Sequence, residues 1–140
     1  MTNSKSSKKT VTYIQAVGRR KTAIARVRLY LKPGEIVVNG KPIGQYFPGE
    51  ANKLLYLEPL KATKVVDKVT ATIKVKGGGL KGQLAAVVHG LSRALVKADA
   101  KKYRSVLKKR GFLTRDDRMR ERRKVGMGGK ARRKKQSPKR

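Results

Sequence analysis

The chain has no cysteine and no tryptophan, and only one histidine and two phenylalanines among its 140 residues. Without thiols, disulfides and thiolate metal sites are excluded. A lone imidazole argues against a zinc centre and leaves no Cys–His pair for nucleophilic catalysis. Acids are scarce too: 8 Asp and Glu stand against 38 Lys and Arg, for a formal net charge of +30. They are scattered, so no carboxylate pair suggests hydrolysis. We therefore expect no enzyme, no cofactor, no metal and no small-molecule substrate. No run approaches the roughly 18 apolar residues that a membrane span needs. The opening stretch, Met1 to Thr10, lacks the apolar core of a signal peptide. A reducing, cytosol-like compartment without a membrane partner is the expectation.

What the chain has is positive charge along its whole length. Residues 1–100 carry 19 basic and 5 acidic side chains, and residues 101–140 carry 19 and 3. Solubility needs a net charge of only about 8 in a small domain. The last 23 residues, from Arg118, hold 12 Lys or Arg and one acid, with Met119, Val125, Met127 and Ala131 as their apolar side chains. Such a segment buries too little surface to offset the entropy of ordering. It orders only against something densely negative, and a phosphate backbone fits, since binding releases condensed counterions. Extended, residues 115–140 reach about 90 Å at roughly 3.5 Å each.

Between a polar N-terminal extension (1–10) and the tail (114–140) lies one globular domain, 11–113. Val11 to Val17 reads as a strand that Ala23 to Leu31 continues, with a bulge or bend at Gly18. Period two puts Ala23, Ala25, Val27, Leu29 and Leu31 on a core face and Arg26, Arg28 and Tyr30 on the other. Lys32-Pro33-Gly34-Glu35 reads as a turn joining this strand to Ile36 to Val38 in a hairpin, and Asn39-Gly40 as a further turn. Glu50 to Leu57 suggests a short helix that Pro59 interrupts, with room for a second turn to about Val66, and Lys68 to Lys76 a strand. From Lys81 to Ala98 the period becomes 3.6, with Leu84, Val87, Val88, Leu91, Ala94, Leu95 and Ala98 on one stripe and His89 and Arg93 near the opposite side. Ala100 to Arg110 is a further helix, and Phe112 and Leu113 are the last anchors to the core. Thr114-Arg115-Asp116-Asp117 resembles a capping box, so a short helix is expected near 114–124, with an Asp116–Arg120 pair. The pattern predicts a two-layer α/β (α+β) sandwich: a mixed sheet of about four strands, helices on one face, and a long extended basic tail.

Two local features invite a ligand. Arg19, Arg20 and Lys21 form a compact basic knuckle, and with Arg26 and Arg28 they are expected to meet RNA. Gly77-Gly78-Gly79-Leu80-Lys81-Gly82 matches the dinucleotide fingerprint G-x-G-x-x-G. That fingerprint needs an acid at the end of a second parallel strand, whereas Asp99 ends a helix and another helix follows. The dinucleotide reading fails on context. A phosphate contact at Gly77, Gly78, Gly79 and Lys81 stands beside a purely structural tight turn. A free histone-like protein is the other binding class the charge allows, but nothing suggests a dimer arm, a homo-oligomer or a groove-reading helix.

Three motifs in order carry a family resemblance. They are Gly18-Arg19-Arg20-Lys21-Thr22-Ala23-Ile24-Ala25-Arg26-Val27; Gly77-Gly78-Gly79-x-x-Gly82-Gln83 followed by His89-Gly90-Leu91-Ser92-Arg93-Ala94-Leu95; and Leu113-Thr114-Arg115-Asp116 with Arg118, Glu121-Arg122-Arg123-Lys124 and Lys130-Ala131-Arg132. Over residues 13–140 the chain resembles the bacterial and organellar family of the ninth protein of the small ribosomal subunit. The resemblance implies a body on ribosomal RNA in the subunit head, beside neighbouring head proteins, in the cytoplasm of a bacterium or in an organelle. It places ribosomal RNA contacts at His89, Arg93, Arg115, Arg118, Arg122, Arg123 and Lys124, and further along at Lys130, Arg132, Arg133, Lys134 and Lys135. It also implies that the final residues, Lys139 and Arg140, approach the anticodon stem of the P-site transfer RNA. Family members commonly end Gln-aromatic-Ser-Lys-Arg, whereas this chain ends Gln136-Ser137-Pro138-Lys139-Arg140.

Overall fold

The computed structural model describes residues 12–126. Residues 1–11 and 127–140 lie outside them, and with them the expected N-terminal extension and Lys130, Arg132, Arg133, Lys134, Lys135, Lys139 and Arg140. Strand β1 (Ile14–Arg20) pairs antiparallel with β2 (Ala23–Tyr30) in an unbroken register from Ile14↔Leu29 to Arg20↔Ala23. The single bent strand expected here is thus a tight hairpin, turned at Lys21 and Thr22 with Lys21 at φ 53°. Gly18 is no bulge. A Cβ there would overlap the Ala86 carbonyl oxygen and the Gly90 nitrogen, so glycine lets the strand touch a helix backbone.

The expected hairpin across Lys32–Glu35 does not form. Strand β3 (Ile36–Val38) runs parallel to β5 (Thr70–Lys76), which itself lies antiparallel to β2 and separates the two. The Thr70 hydroxyl donates to the Lys32 carbonyl at 2.8 Å and helps hold that loop against β5. Asn39-Gly40 makes the hairpin instead, leading into β4 (Lys41–Pro42). Among the described residues the sheet has five strands, in the order β1-β2-β5-β3-β4. Leu31, expected on the core face, is exposed, because the strand ends at Tyr30.

The described residues hold four helices. A one-turn α1 (Ile43–Tyr46) precedes α2 (Glu50–Ala62), which runs straight through Pro59. Burial of the Pro59 ring offsets its missing N–H, and the Thr63 hydroxyl donates to the Pro59 carbonyl at 3.0 Å. Helix α3 (Leu80–Ala98) lays its apolar stripe across β1 and β2, burying Leu84, Val87, Leu91, Ala94 and Leu95 against Ala25, Val27 and Leu29. Helix α4 (Ala100–Lys109) buries Leu107, with Tyr103, Val106, Phe112 and Leu113 half-buried. The result is a two-layer α+β sandwich: a mixed sheet with its helices on one face. No helix forms at residues 114–124. Asp116 turns back to accept from the Arg118 backbone N–H at 3.1 Å and from its guanidinium Nη2 at 2.8 Å, so it is bonded within its own turn rather than to Arg120.

Candidate nucleic-acid interface

The face of the sheet turned away from the helices is basic. Alternation exposes Arg19 on β1, Arg26 and Arg28 on β2, and Lys74 and Lys76 on β5. The register sets Arg26 directly opposite Lys74, and Ile24 between Arg19 and Lys76. Strands β1, β2 and β5 contain no acid. Like charges facing each other across a ladder destabilise the free sheet, and a polyanion relieves that cost. The Arg28 guanidinium lies 5.0 Å from the centre of the Tyr13 ring, which packs 5.9 Å from Tyr30. Lys74 and Lys76 are absent from the sequence reading, although the period-two pattern that puts Ile73 and Val75 inside places both outside.

The basic knuckle does not stay together. Neighbouring strand residues point to opposite faces, so Arg19 joins the open face while Arg20 points to the helix side. There its Nη1 lies 2.8 Å from a carboxylate oxygen of Asp116, 3.0 Å from the Arg118 carbonyl oxygen and 3.3 Å from that of Asp116. The Arg118 side-chain and then backbone hydrogen bonds, with the charges of Arg118 and Arg20, hold the Asp116 carboxyl well below the usual carboxylate range. Lys21 is exposed at the hairpin tip.

The glycine loop is braced from below. A Cβ on Gly77, at φ 78°, would strike the Thr22 carbonyl, and one on Gly78, at φ 64°, would crowd Ala23. The Gln83 side chain donates to the Gly77 carbonyl at 3.1 Å and accepts from the Tyr46 hydroxyl at 2.8 Å. The tight turn is thus required by packing on the β1–β2 turn. Gly79 differs: nothing lies within 4 Å of its Cβ position, and as N-cap of α3 it supplies no side-chain bond to the first helical N–H groups. Lys81 stands exposed in that first turn. The helix end has the polarity that suits a phosphate.

On α3, three residues a turn apart reach the free edge of β1. Lys97 Nζ donates to the Gln15 carbonyl at 2.8 Å, Arg93 Nη1 donates to the Val17 carbonyl at 2.6 Å, and His89 Nδ1 accepts a long 3.4 Å bond from the Arg19 N–H. Arg93 therefore binds the sheet edge as well as facing solvent. Burial lowers the His89 pKa; the Leu113 backbone hydrogen bond opposes this, and the charges of Arg93 and Arg115 reinforce it. The imidazole faces a groove of ≈ 530 Å³ between α2, α3 and residues 111–114, lined largely by carbon from Leu55, Leu84, Val88 and Phe112. Glu58, the groove's carboxylate, sits 4.0 Å from Arg110. Among the described residues no cluster of three or more His, Asp or Glu could hold a metal, and no helix is long and apolar enough to cross a membrane. Arg115, Arg118, Arg122, Arg123 and Lys124 are exposed along the segment leaving the body.

Comparison with known proteins gives consistent matches. The family profile described as ribosomal protein S9/S16 matches residues 18–140. The small ribosomal subunit protein uS9 of Lawsonia intracellularis is 50% identical over 112 residues, covering 80% of this chain and 85% of that protein. The protein of the same name from Maridesulfovibrio salexigens is 50% identical over 114 residues, covering 81% and 87%.

Proposed function

This chain belongs to the ribosomal protein S9/S16 family; we propose that it serves the small ribosomal subunit as a structural component and not as an enzyme, that its body binds ribosomal RNA in the subunit head and that its tail reaches the P-site transfer RNA. The observation that carries the RNA reading is the cross-strand pair Arg26–Lys74 on an acid-free sheet face. Together with Arg19, Arg28 and Lys76 it makes a surface matched to phosphates. A-form RNA hides its deep groove from side chains, so such a face reads shape and backbone rather than sequence. Gly79, Lys81 and the start of α3 supply a second phosphate contact at the sheet margin. Beyond Arg118, the basic residues through Lys135 order where RNA strands pack closely, and Lys139 and Arg140 add charge beside the transfer RNA backbone. Neighbouring head proteins complete the surroundings, in the ribosomes of a bacterial cytoplasm.

Reconstitution of small subunits with full-length protein tests this. Arg26→Gln with Lys74→Gln should lower affinity for the RNA and reduce the slope of log K against log salt by about one to two. An unchanged slope would refute the sheet-face reading. Removing Lys139 and Arg140 should leave assembly intact and weaken P-site transfer RNA binding, most at low salt. Co-sedimentation with subunits at high salt, set against duplex DNA binding, separates this role from a histone-like one.

A further inference from the structure

Arg20 sits in the middle of an RNA-contact motif by sequence, yet its side chain is only 20% exposed and is turned away from the basic face. Its partners lie 96 and 98 residues further along the chain. One terminal nitrogen meets the Asp116 carboxylate and the carbonyls of Asp116 and Arg118. A planar guanidinium suits such a cluster, where an ammonium offers only a point charge. The Arg118 backbone N–H and Nε donate to the same Asp116 oxygen, Oδ1, and its Nη2 donates to the other, Oδ2. Leu113, just upstream, packs half-buried against the core. The stretch from Asp116 to Arg118 is therefore tied to β1, although it belongs to no helix or strand.

We infer that Arg20 is a positioning residue for the tail: its clasp on Asp116 and Arg118 fixes where, and in which direction, the basic segment leaves the body. The root of the tail is then ordered in the free protein, before any RNA is bound. The 22 residues after Arg118 can span at most about 75 Å from that fixed point at roughly 3.5 Å per residue. A fixed point of departure also removes orientations from the search that the tail makes during assembly.

Amide hydrogen exchange on the full-length free chain tests the clasp without RNA. In the wild type the Arg118 amide should be protected, because it donates to Asp116. Arg20→Gln should raise exchange at residues 114–118 at least tenfold while β2 and α3 amides keep their protection. Arg19→Gln, a neighbour of equal charge on the open face, should change nothing there. Arg20→Lys should restore protection only in part. Asp116→Asn, which leaves β1 untouched, should reproduce the loss and serves if Arg20→Gln fails to fold. Equal exchange at Arg118 in the wild type, Arg20→Gln and Asp116→Asn would overturn the inference. A second arm rests on the function proposed above: Arg20→Gln subunits should bind P-site transfer RNA more weakly. If deletion of Lys139 and Arg140 has no effect in that assay, the tail reading fails while the exchange result still decides the clasp.

Discussion

The amide nitrogen of Gly18 lies 3.1 Å from the place where a Cβ on Gly90 would stand, so β1 and α3 meet backbone to backbone at this point. A methyl on Gly18 would overlap backbone atoms of Ala86 and Gly90, which cannot swing aside, whereas one on Gly90 comes 2.7 Å from a methyl of Val27. Gly18→Ala should cost at least about 1–3 kcal/mol, and Gly90→Ala less, read from urea denaturation midpoints. Adding Val27→Ala should recover part of the Gly90→Ala loss but none of the Gly18→Ala loss.

Arg26 and Lys74 should show effects of opposite sign on stability and on binding. Arg26→Gln relieves a direct cross-strand repulsion and should stabilise the free chain by about 0.2–1 kcal/mol. The same change should weaken RNA binding. Denaturation and filter binding on one preparation make the check, and a merely solvated charge would leave binding untouched.

His89 gives the free protein a pH dependence. Burial keeps its folded pKa below the ordinary 6.5, so between the two values the unfolded chain holds more protons and stability rises with pH. The contribution is complete above about 6.5 and is lost as pH falls through the folded value. The facing groups are Arg93 on α3, Arg115, the Arg19 N–H and the Leu113 carbonyl. Chemical denaturation from pH 4 to 8 should show this slope, and His89→Gln should flatten it. Asp116, shifted downward, acts in a separate window: its contribution is present above the usual carboxylate range and is lost as pH falls further.

The glycine loop separates packing from binding. Gly77→Ala, at φ 78° and against Thr22, should destabilise by roughly 1–3 kcal/mol in thermal unfolding. Gly79→Ala meets nothing and should change stability by no more than about 0.5 kcal/mol. Weaker RNA binding by the Gly79 variant at unchanged stability would mark the loop as a phosphate contact.

Much of this arrangement was legible from periodicity. The stripe from Leu84 to Ala98 places α3 and its buried face, and alternation along Ala23 to Tyr30 separates the core from Arg26 and Arg28. Topology was not legible, because local turn signals compete. Lys32-Pro33-Gly34-Glu35 and Asn39-Gly40 both read as turns, and only the insertion of β5 between β2 and β3 decides which one closes a hairpin. Gly18 looked like a bend because a sequence does not show which backbone lies over it. The knuckle Arg19-Arg20-Lys21 looked like one patch because contiguity along a strand is not contiguity on a surface. Arg20 found its partners across nearly a hundred residues, beyond the reach of any spacing rule.

The grip of α3 on the outer strand has a consequence for the newly made chain. Lys97, Arg93 and His89 occupy the Gln15, Val17 and Arg19 backbone groups that a stranger's strand would otherwise zip onto, and at the far margin β4 is two residues long and ends in Pro42. An orphan copy waiting for its transcript is thereby discouraged from fibrillar stacking at both borders, so its sociability is reserved for nucleic acid.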